Sequence, residues 1–352
     1  MDNKKVGIVT YHKALSYGAC LQAFATYRCL SDITNYDVGL VDYENEYEAR
    51  QKSWRFLFSG KPKEVFTTLV KRLLFRNEYF KKRAFDDFIS KEKVYSLDEA
   101  NECDILISGS DQIWNPKISD GIDDKFLLNF GKPKCKISVA SSMGGYVLTE
   151  SEKDLFSKLL SKYDFISVRE EFTRSQLIQL VDKEIYKILD PTLLLTANQW
   201  RDIVLENKDY IHYKFEKNSY ILAFTIGESH ENEADIFITY SKRMGLPVYK
   251  IMLNTFKPKG VDKVLAGANP YEFIDLIDNA AFVITNSFHG TAFSLNLNTP
   301  FLQLKVPGNN QRMDELLKLL EWDQNENFEI ANSILEKKRE EDLKWLINAL
   351  VV

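Results

Sequence analysis

The chain has 352 residues, 45% of them hydrophobic and 28% charged, which suits a globular protein of two domains better than one. A formal net charge of −5 gives no overall positive field. Nucleic-acid binding is therefore not expected, and any anion must meet a local group of cations. The four cysteines, Cys20, Cys29, Cys103 and Cys135, have no CxxC spacing and no histidine close by. That argues against a zinc site or a disulfide scaffold and for a reduced, cytoplasmic setting. The opening MDNKKVGIVTY has no signal-peptide layout, and no apolar run approaches the roughly 20 residues needed to cross a bilayer.

VGIVTY (6–11) predicts a first strand. It runs into YHKALSYGACLQ (11–22), where Gly18 opens a helical stretch in the position of a phosphate-binding loop. Neither GxGxxG nor GxxxxGK[ST] is present, so this is no dinucleotide or P-loop fingerprint. His12 and Lys13 stand at the strand end, within reach of a ligand. YDVGLVDY (36–43) is a second strand. In residues 61–83, KPKEVFTTLVKRLLFRNEYFKKR, Val65, Phe66, Leu69, Val70, Leu73 and Leu74 repeat at helical spacing among many lysines and arginines. The pattern fits a core-facing helix with a solvated basic side, or a helix lying on an anionic membrane surface.

DILISGS (104–110), CKISVASSMG (135–144), DFISVRE (164–170) and IYKILDPT (185–192) continue the strands, with helical periodicity between most of them. Strands alternating with helices imply a parallel sheet covered on both faces. After DILIS, the run GSDQIWNP offers Gly109 for a tight turn, Asp111 to accept from a sugar hydroxyl and Trp114 to stack on a sugar face. The structural reading is a capping Asp111 and a core Trp114. Arg169, at the end of FISV, can grip a carboxylate or phosphate bidentately, or pair with Glu170 or Glu171. LDPTLLL (189–195) reads as structural, a strand end turned by its proline, with Asp190 a weaker site candidate.

A charged stretch, ENKDYIHYKFEKN (206–218), precedes a second set of strands: SYILAFTIG (219–227), PVYKIML (247–253), AFVITNS (281–287) and PFLQL (300–304). Helices are expected near 231–244, 270–279 and 289–297. Residues 1–195 and 196–330 are thus predicted as two Rossmann-like α/β domains facing a cleft. Residues 331–352 form a closing amphipathic helix, expected to pack back on the first domain. TNSFHGTAFS (285–294) places His289 where a strand stops and a helix begins. Gly290 lets backbone approach a ligand. Asn286, Ser287 and Thr291 offer donors, and the helix N-terminus suits an anion. No HExxH or spaced acidic triad suggests a metal.

VGIVTYHKALSYGACLQAFA, SGSDQIWNP, SVREEFT, LDPTLL and VITNSFHGTAFSL occur in this order, and the set resembles the polysaccharide pyruvyl transferase family over residues 6 to about 305. NNQRMDELLKLL (309–320) is similar to that family as well. The resemblance implies a GT-B-like pair of Rossmann-like domains. It implies transfer of a pyruvyl group from phosphoenolpyruvate to a sugar of a surface polysaccharide or its lipid-linked precursor, as a cyclic ketal. No cofactor beyond that co-substrate is implied. It makes His289 the general acid and Arg169 a donor-binding residue. Asn286, Ser287, Phe288, Gly290 and Thr291 are expected on the donor side, and Asp111, Trp114, His12 and Lys13 on the acceptor side. Some members carry arginine where this chain has Ser287, so Lys305, Arg312 or Lys13 is expected to supply that charge. The alternatives are a glycosyltransferase using a nucleotide sugar and a non-catalytic carbohydrate-binding protein of polysaccharide assembly. The setting expected is cytoplasmic, with peripheral contact at the inner membrane face through 61–83.

Overall fold

The computed structural model describes residues 4–45, 85, 87–227, 232–252, 255–305, 310–322 and 327–351. The expectation for the basic segment 61–83 lies outside the described residues. The described chain divides into two compact units. Residues 4–45, 89–194 and 337–351 make the first, and the other described residues make the second.

The first unit starts with β1 (Lys5–Val9), α1 (Tyr17–Ile33), β2 (Asp37–Val41), β3 (Val94–Tyr95), α2 (Leu97–Asn101), β4 (Ile105–Ser108) and α3 (Pro116–Ser119). It continues through β5 (Cys135–Ser141), α4 (Glu150–Leu160), β6 (Phe165–Val168), α5 (Glu171–Leu177), β7 (Ile185–Lys187) and α6 (Pro191–Leu194). Its sheet is parallel, in the order β3-β2-β1-β4-β5-β6-β7. Strand β4 is buried along its whole length, which is why ILIS carries no polar alternation. Trp114, Phe126, Phe156, Tyr163 and Ile166 are part of the core on this sheet.

The second unit holds α7 (Ala197–Glu206), β8 (Ile221–Phe224), α8 (Glu233–Met244), β9 (Val248–Met252), β10 (Lys263–Ala266) and α9 (Pro270–Asp278). Then come β11 (Phe282–Thr285), α10 (Phe288–Leu297), β12 (Phe301–Gln303) and α11 (Gln311–Leu319). Its parallel sheet runs β10-β9-β8-β11-β12. Ile221, Ala223, Phe237, Val248 and Ile284 centre the core.

Helix α12 (Phe328–Leu350) ends the described chain, and from residue 337 it belongs to the first unit. There Asp342 accepts from the Leu189 N–H at 2.8 Å and Arg339 Nε donates to the Leu193 carbonyl at 2.8 Å. Trp345 stacks on Tyr186 of β7, ring centroids 5.1 Å apart. The long runs expected as strands are all present. The edge strands β3 and β10 lie in stretches without a clear apolar run, where edge pairing rather than two-sided burial makes the strand. Pro191 opens a short helix instead of only turning the chain, as a proline at a first helical position does.

Candidate functional site

In each sheet the chain runs outward from a central strand and then crosses back to that strand's other side. In the first unit the reversal falls between β1 and β4, and in the second between β8 and β11. Beyond the carboxyl ends of such a pair the helices diverge and leave a crevice, where ligands of open α/β sheets bind. His12, Lys13 and Asp111 follow β1 and β4. Residues 286–291 follow β11.

At the first reversal the loops after β1 and β4 are laced together. Thr10 Oγ1 donates to the Ser110 carbonyl at 2.8 Å. A Cβ on Gly109 would stand 2.8 Å from Thr10 Cβ, so glycine there permits this close approach. Gln22, buried in α1, donates through Nε2 to Thr10 Oγ1 and to the Tyr11 and Ala19 carbonyls. His12 is 5% exposed, with Nδ1 3.1 Å from the Thr10 carbonyl. A carbonyl only accepts, so Nδ1 carries the hydrogen and the neutral ring keeps its lone pair on Nε2. Burial, with help from Lys13, lowers the His12 pKa, outweighing the Thr10 carbonyl, Asp42 and Glu44, which act to raise it. Lys13 is ion-paired with Asp42.

Asp111 takes a left-handed φ of 76°, uncommon for a residue with a side chain. It forms a bridge to Ser141, and its Oδ1 accepts from the Gln112 N–H. Its neighbour Arg169 is not turned out toward a donor. The guanidinium is 3% exposed, with Nη1 2.5 Å from Asp190, Nε 3.0 Å from Glu170 and Nη2 3.9 Å from Asp111. Burial acts to pull its pKa down, but the carboxylates of Glu170, Asp190 and Asp111 raise it on balance and keep it charged. Three carboxylates around one cation leave no excess positive charge for an anionic donor. Arg169 thus ties this framework together, with Glu170 the partner that its pairing alternative named. Asp190 also accepts from the Thr192 N–H and hydroxyl, which ties β6 to the start of α6.

The sugar-stacking expectation for Trp114 is also corrected. The ring is 2% exposed, meets Phe156 and Tyr163 edge to face, and donates its N–H to the Phe126 carbonyl. No face of the indole is open, because the apolar ring is worth most inside the core.

At the second reversal Asn286 uses both ends of its amide to join the loops: Oδ1 accepts from the Ile226 N–H at 2.7 Å and Nδ2 donates to the Ile226 carbonyl at 3.0 Å. Ser287 is the N-cap of α10, accepting from the Gly290 N–H. A Cβ on Gly290 would lie 2.3 Å from Thr285 Oγ1, so the close approach this glycine permits is to its own chain rather than to a ligand. Thr291 is fully buried and its hydroxyl faces Met313 Sδ at 3.8 Å. Asn286, Ser287, Gly290 and Thr291 together build the junction. His289 is 7% exposed and meets the Phe288 ring edge to face. Arg312, at the start of α11, lies 5.8 Å from the Phe288 ring centroid. Of the three cations considered for the charge absent at position 287, Arg312 is the one held against the residue next to His289. Lys13 belongs to the first unit, and Lys305 is exposed at the end of β12.

The sequence model of a family described as polysaccharide pyruvyl transferase matches residues 17–304. The chain belongs to the polysaccharide pyruvyl transferase family. The matched span carries Asp111, Arg169 and His289, while His12, Lys13 and Arg312 fall outside it. No curated protein matches significantly. Among solved structures, a UDP-GlcNAc 2-epimerase from Neisseria meningitidis aligns with a TM-score of 0.51 at 11% identity over 99% of each chain. MnaA of S. aureus aligns with a TM-score of 0.49 at 12% identity over 99% of this chain and 98% of its own. UGT89C1 of Arabidopsis thaliana aligns at 0.45 and 12% identity, over 99% and 100%. The epimerase likeness extends to the fold alone, two parallel-sheet α/β units of GT-B type.

Gln22 was the framework residue least visible in the sequence. Gln22 did leave a trace, as a polar residue among Ala19, Ala23 and Ala25 on a buried helix. Among the described residues no three His, Cys, Asp or Glu side chains converge as metal ligands would, and no helix is long and apolar enough to cross a membrane.

Proposed function

We propose that this family member transfers the pyruvyl group of phosphoenolpyruvate to a sugar of a surface polysaccharide or its lipid-linked precursor, closing a cyclic ketal on two hydroxyls. The observation that carries the reading is His289 at the first turn of α10, at a topological reversal, with Arg312 beside its neighbour Phe288. Phosphoenolpyruvate is a compact polyanion, suited to an arginine and a helix N-terminus. His289 gives a proton to the methylene carbon, and the adjoining carbon becomes electrophilic. A sugar hydroxyl adds there, phosphate leaves, and a second hydroxyl completes the ketal. The neutral, hydroxyl-bearing acceptor suits the first unit, where carboxylates outnumber the cation they surround. Peripheral docking of the basic segment 61–83 on an anionic membrane belongs to the same proposal and rests on its sequence pattern.

The test is incubation with phosphoenolpyruvate and candidate glycans, followed by phosphate release and the mass of the ketal product. His289→Ala is expected to cut kcat by roughly 100-fold or more, the scale of general acid catalysis, with a much smaller effect on donor affinity. Arg312→Ala is expected to do the reverse. Wild-type turnover in His289→Ala would remove this histidine from the mechanism. The nucleotide-sugar alternative draws only on the fold likeness to an epimerase crystallised with UDP-GlcNAc. Calorimetric binding of UDP-GlcNAc in preference to phosphoenolpyruvate would favour it.

A further inference from the structure

Two buried acceptor atoms in the first unit, His12 Nε2 and Gln22 Oε1, have no hydrogen-bond donor within reach among the described residues. Both side chains are anchored on Thr10, His12 through the carbonyl and Gln22, from α1, through the hydroxyl, so both face the crevice loop after β1. Three oxygens lie within 3.3 Å of Gln22 Nε2 and share its two hydrogens, which fixes the amide orientation and leaves Oε1 as the end that is short of a donor. A buried acceptor without a donor costs about 1–3 kcal/mol. Two around Thr10, in the unit where Asp111 takes its left-handed turn, call for a ligand that brings hydroxyl hydrogens.

We infer that His12 is the general base that takes the proton from the attacking acceptor hydroxyl, with Gln22 accepting from a neighbouring hydroxyl of the same sugar. The inference rests on the pyruvyl-transfer reading for its reaction, but not for its binding chemistry. The hydrogen on Nδ1 is held by Thr10, so the ring presents its lone pair at Nε2, as a base must. As the acceptor oxygen bonds to the pyruvyl carbon, its O–H bond breaks. The electron pair stays on oxygen and the proton goes to Nε2, giving an imidazolium. Phosphate, leaving with the electron pair of its bond to that carbon, is the final proton acceptor. Burial favours the neutral ring, and the charges that bear on it are Lys13, which opposes protonation, and Asp42 and Glu44, which favour it. The following stretch, Lys13 to Ser16, is half-buried to exposed, and Ser16 caps α1 without a side-chain bond. That is the part of the loop that gives way to admit the sugar.

His12→Asn is the informative variant, because its amide N–H can replace Nδ1 toward Thr10 while the base is gone. With phosphoenolpyruvate and the methyl glycosides of glucose, galactose and mannose as probes, kcat is expected to fall by about 100-fold or more. KM for phosphoenolpyruvate and the melting temperature should hold. In the wild type kcat/KM should fall with unit slope below the His12 pKa, a limb the variant lacks. His12→Gln, an acceptor with no basicity, should retain glycoside binding without turnover, and it serves if His12→Asn does not fold. A separate readout is the ¹⁵N resonance of His12 Nε2, expected to move when the glycosides are added to the wild type without phosphoenolpyruvate. If no phosphate is released with any probe, the pyruvyl-transfer reading fails and this resonance alone decides on His12. A resonance that stays fixed, or wild-type kcat in either variant, would overturn the assignment.

Discussion

Beside the first reversal, strand ends are joined through charge: Arg169, after β6, pairs with Asp190 and Glu170 and reaches to 3.9 Å from Asp111, after β4. At the second, the neutral amide of Asn286 joins the loops after β8 and β11, and the hydroxyls of Ser287 and Thr285 finish the turn. Three carboxylates thus stand around one guanidinium in the first unit. The second joins its strand ends through neutral groups, with the Glu233–Lys250 pair reached from Thr225 after β8 and Arg312 beside Phe288. On the proposed reading a neutral polyol goes to the first and an anion to the second, although the two folds are built to the same plan. Topology sets where a crevice lies, and the choice of framework side chains sets what it can hold.

The largest effect should come from breaking the charged framework. Arg169→Met leaves buried carboxylates uncompensated and is expected to cost about 3–5 kcal/mol in urea unfolding. Adding Asp190→Asn should restore part of that, since it removes one of the stranded charges. A loss below about 1 kcal/mol would mean that the group is solvated and that Arg169 is available to a ligand after all.

The neutral junction should break sterically. Gly290→Ala forces a methyl against Thr285 Oγ1 and is expected to cost about 1–3 kcal/mol, read as a lowered melting temperature. Thr285→Ala should relieve much of the clash in the double variant. If instead Gly290→Ala left stability intact and abolished phosphoenolpyruvate binding, the glycine would be clearing space for the donor.

Trp114 tests whether the first crevice uses an aromatic platform. Trp114→Phe loses the hydrogen bond to the Phe126 carbonyl and some packing, and should cost about 1–2 kcal/mol. The acceptor KM should not change. A raised acceptor KM at unchanged stability would return the ring to the site.

The smallest effect comes from the one strained carboxylate resolved in the second unit. Burial, reinforced by Asp278, pushes Asp275 up to about 6 from 3.8. The folded state thus holds this proton more tightly than the unfolded chain does. Its contribution is complete below about pH 4 and is lost as the pH rises through 6. Asp275→Asn should raise the melting temperature slightly at pH 7.5 and flatten the dependence on pH between 4 and 6.

Both sheets were legible because most central strands are apolar runs, such as ILIS in β4 and ILAF in β8, the mark of burial on two faces. The helices from Glu150 and Pro270 were legible from periodicity, and the structure adds their capping boxes at Thr149 and Asn269. The strand-to-helix junction at His289 could also be read, since a short polar turn between two apolar runs has few other meanings. Roles inside the junction could not. Asn286, Ser287, Gly290 and Thr291 are residue types that serve ligands and turns equally well, and their partners Ile226, Thr285 and Met313 are fixed only by tertiary packing. Arg169 shows the same limit, because Asp190 lies 21 residues away in sequence and 2.5 Å away in space. The sequence by itself determined the central strands and the longer helices, since burial periodicity is local, and which family the chain resembles. The tertiary structure alone decided which polar groups already satisfy one another and which acceptors, such as His12 Nε2 and Gln22 Oε1, have no donor among the described residues, because hydrogen-bond satisfaction is a property of contacts between distant parts of the chain.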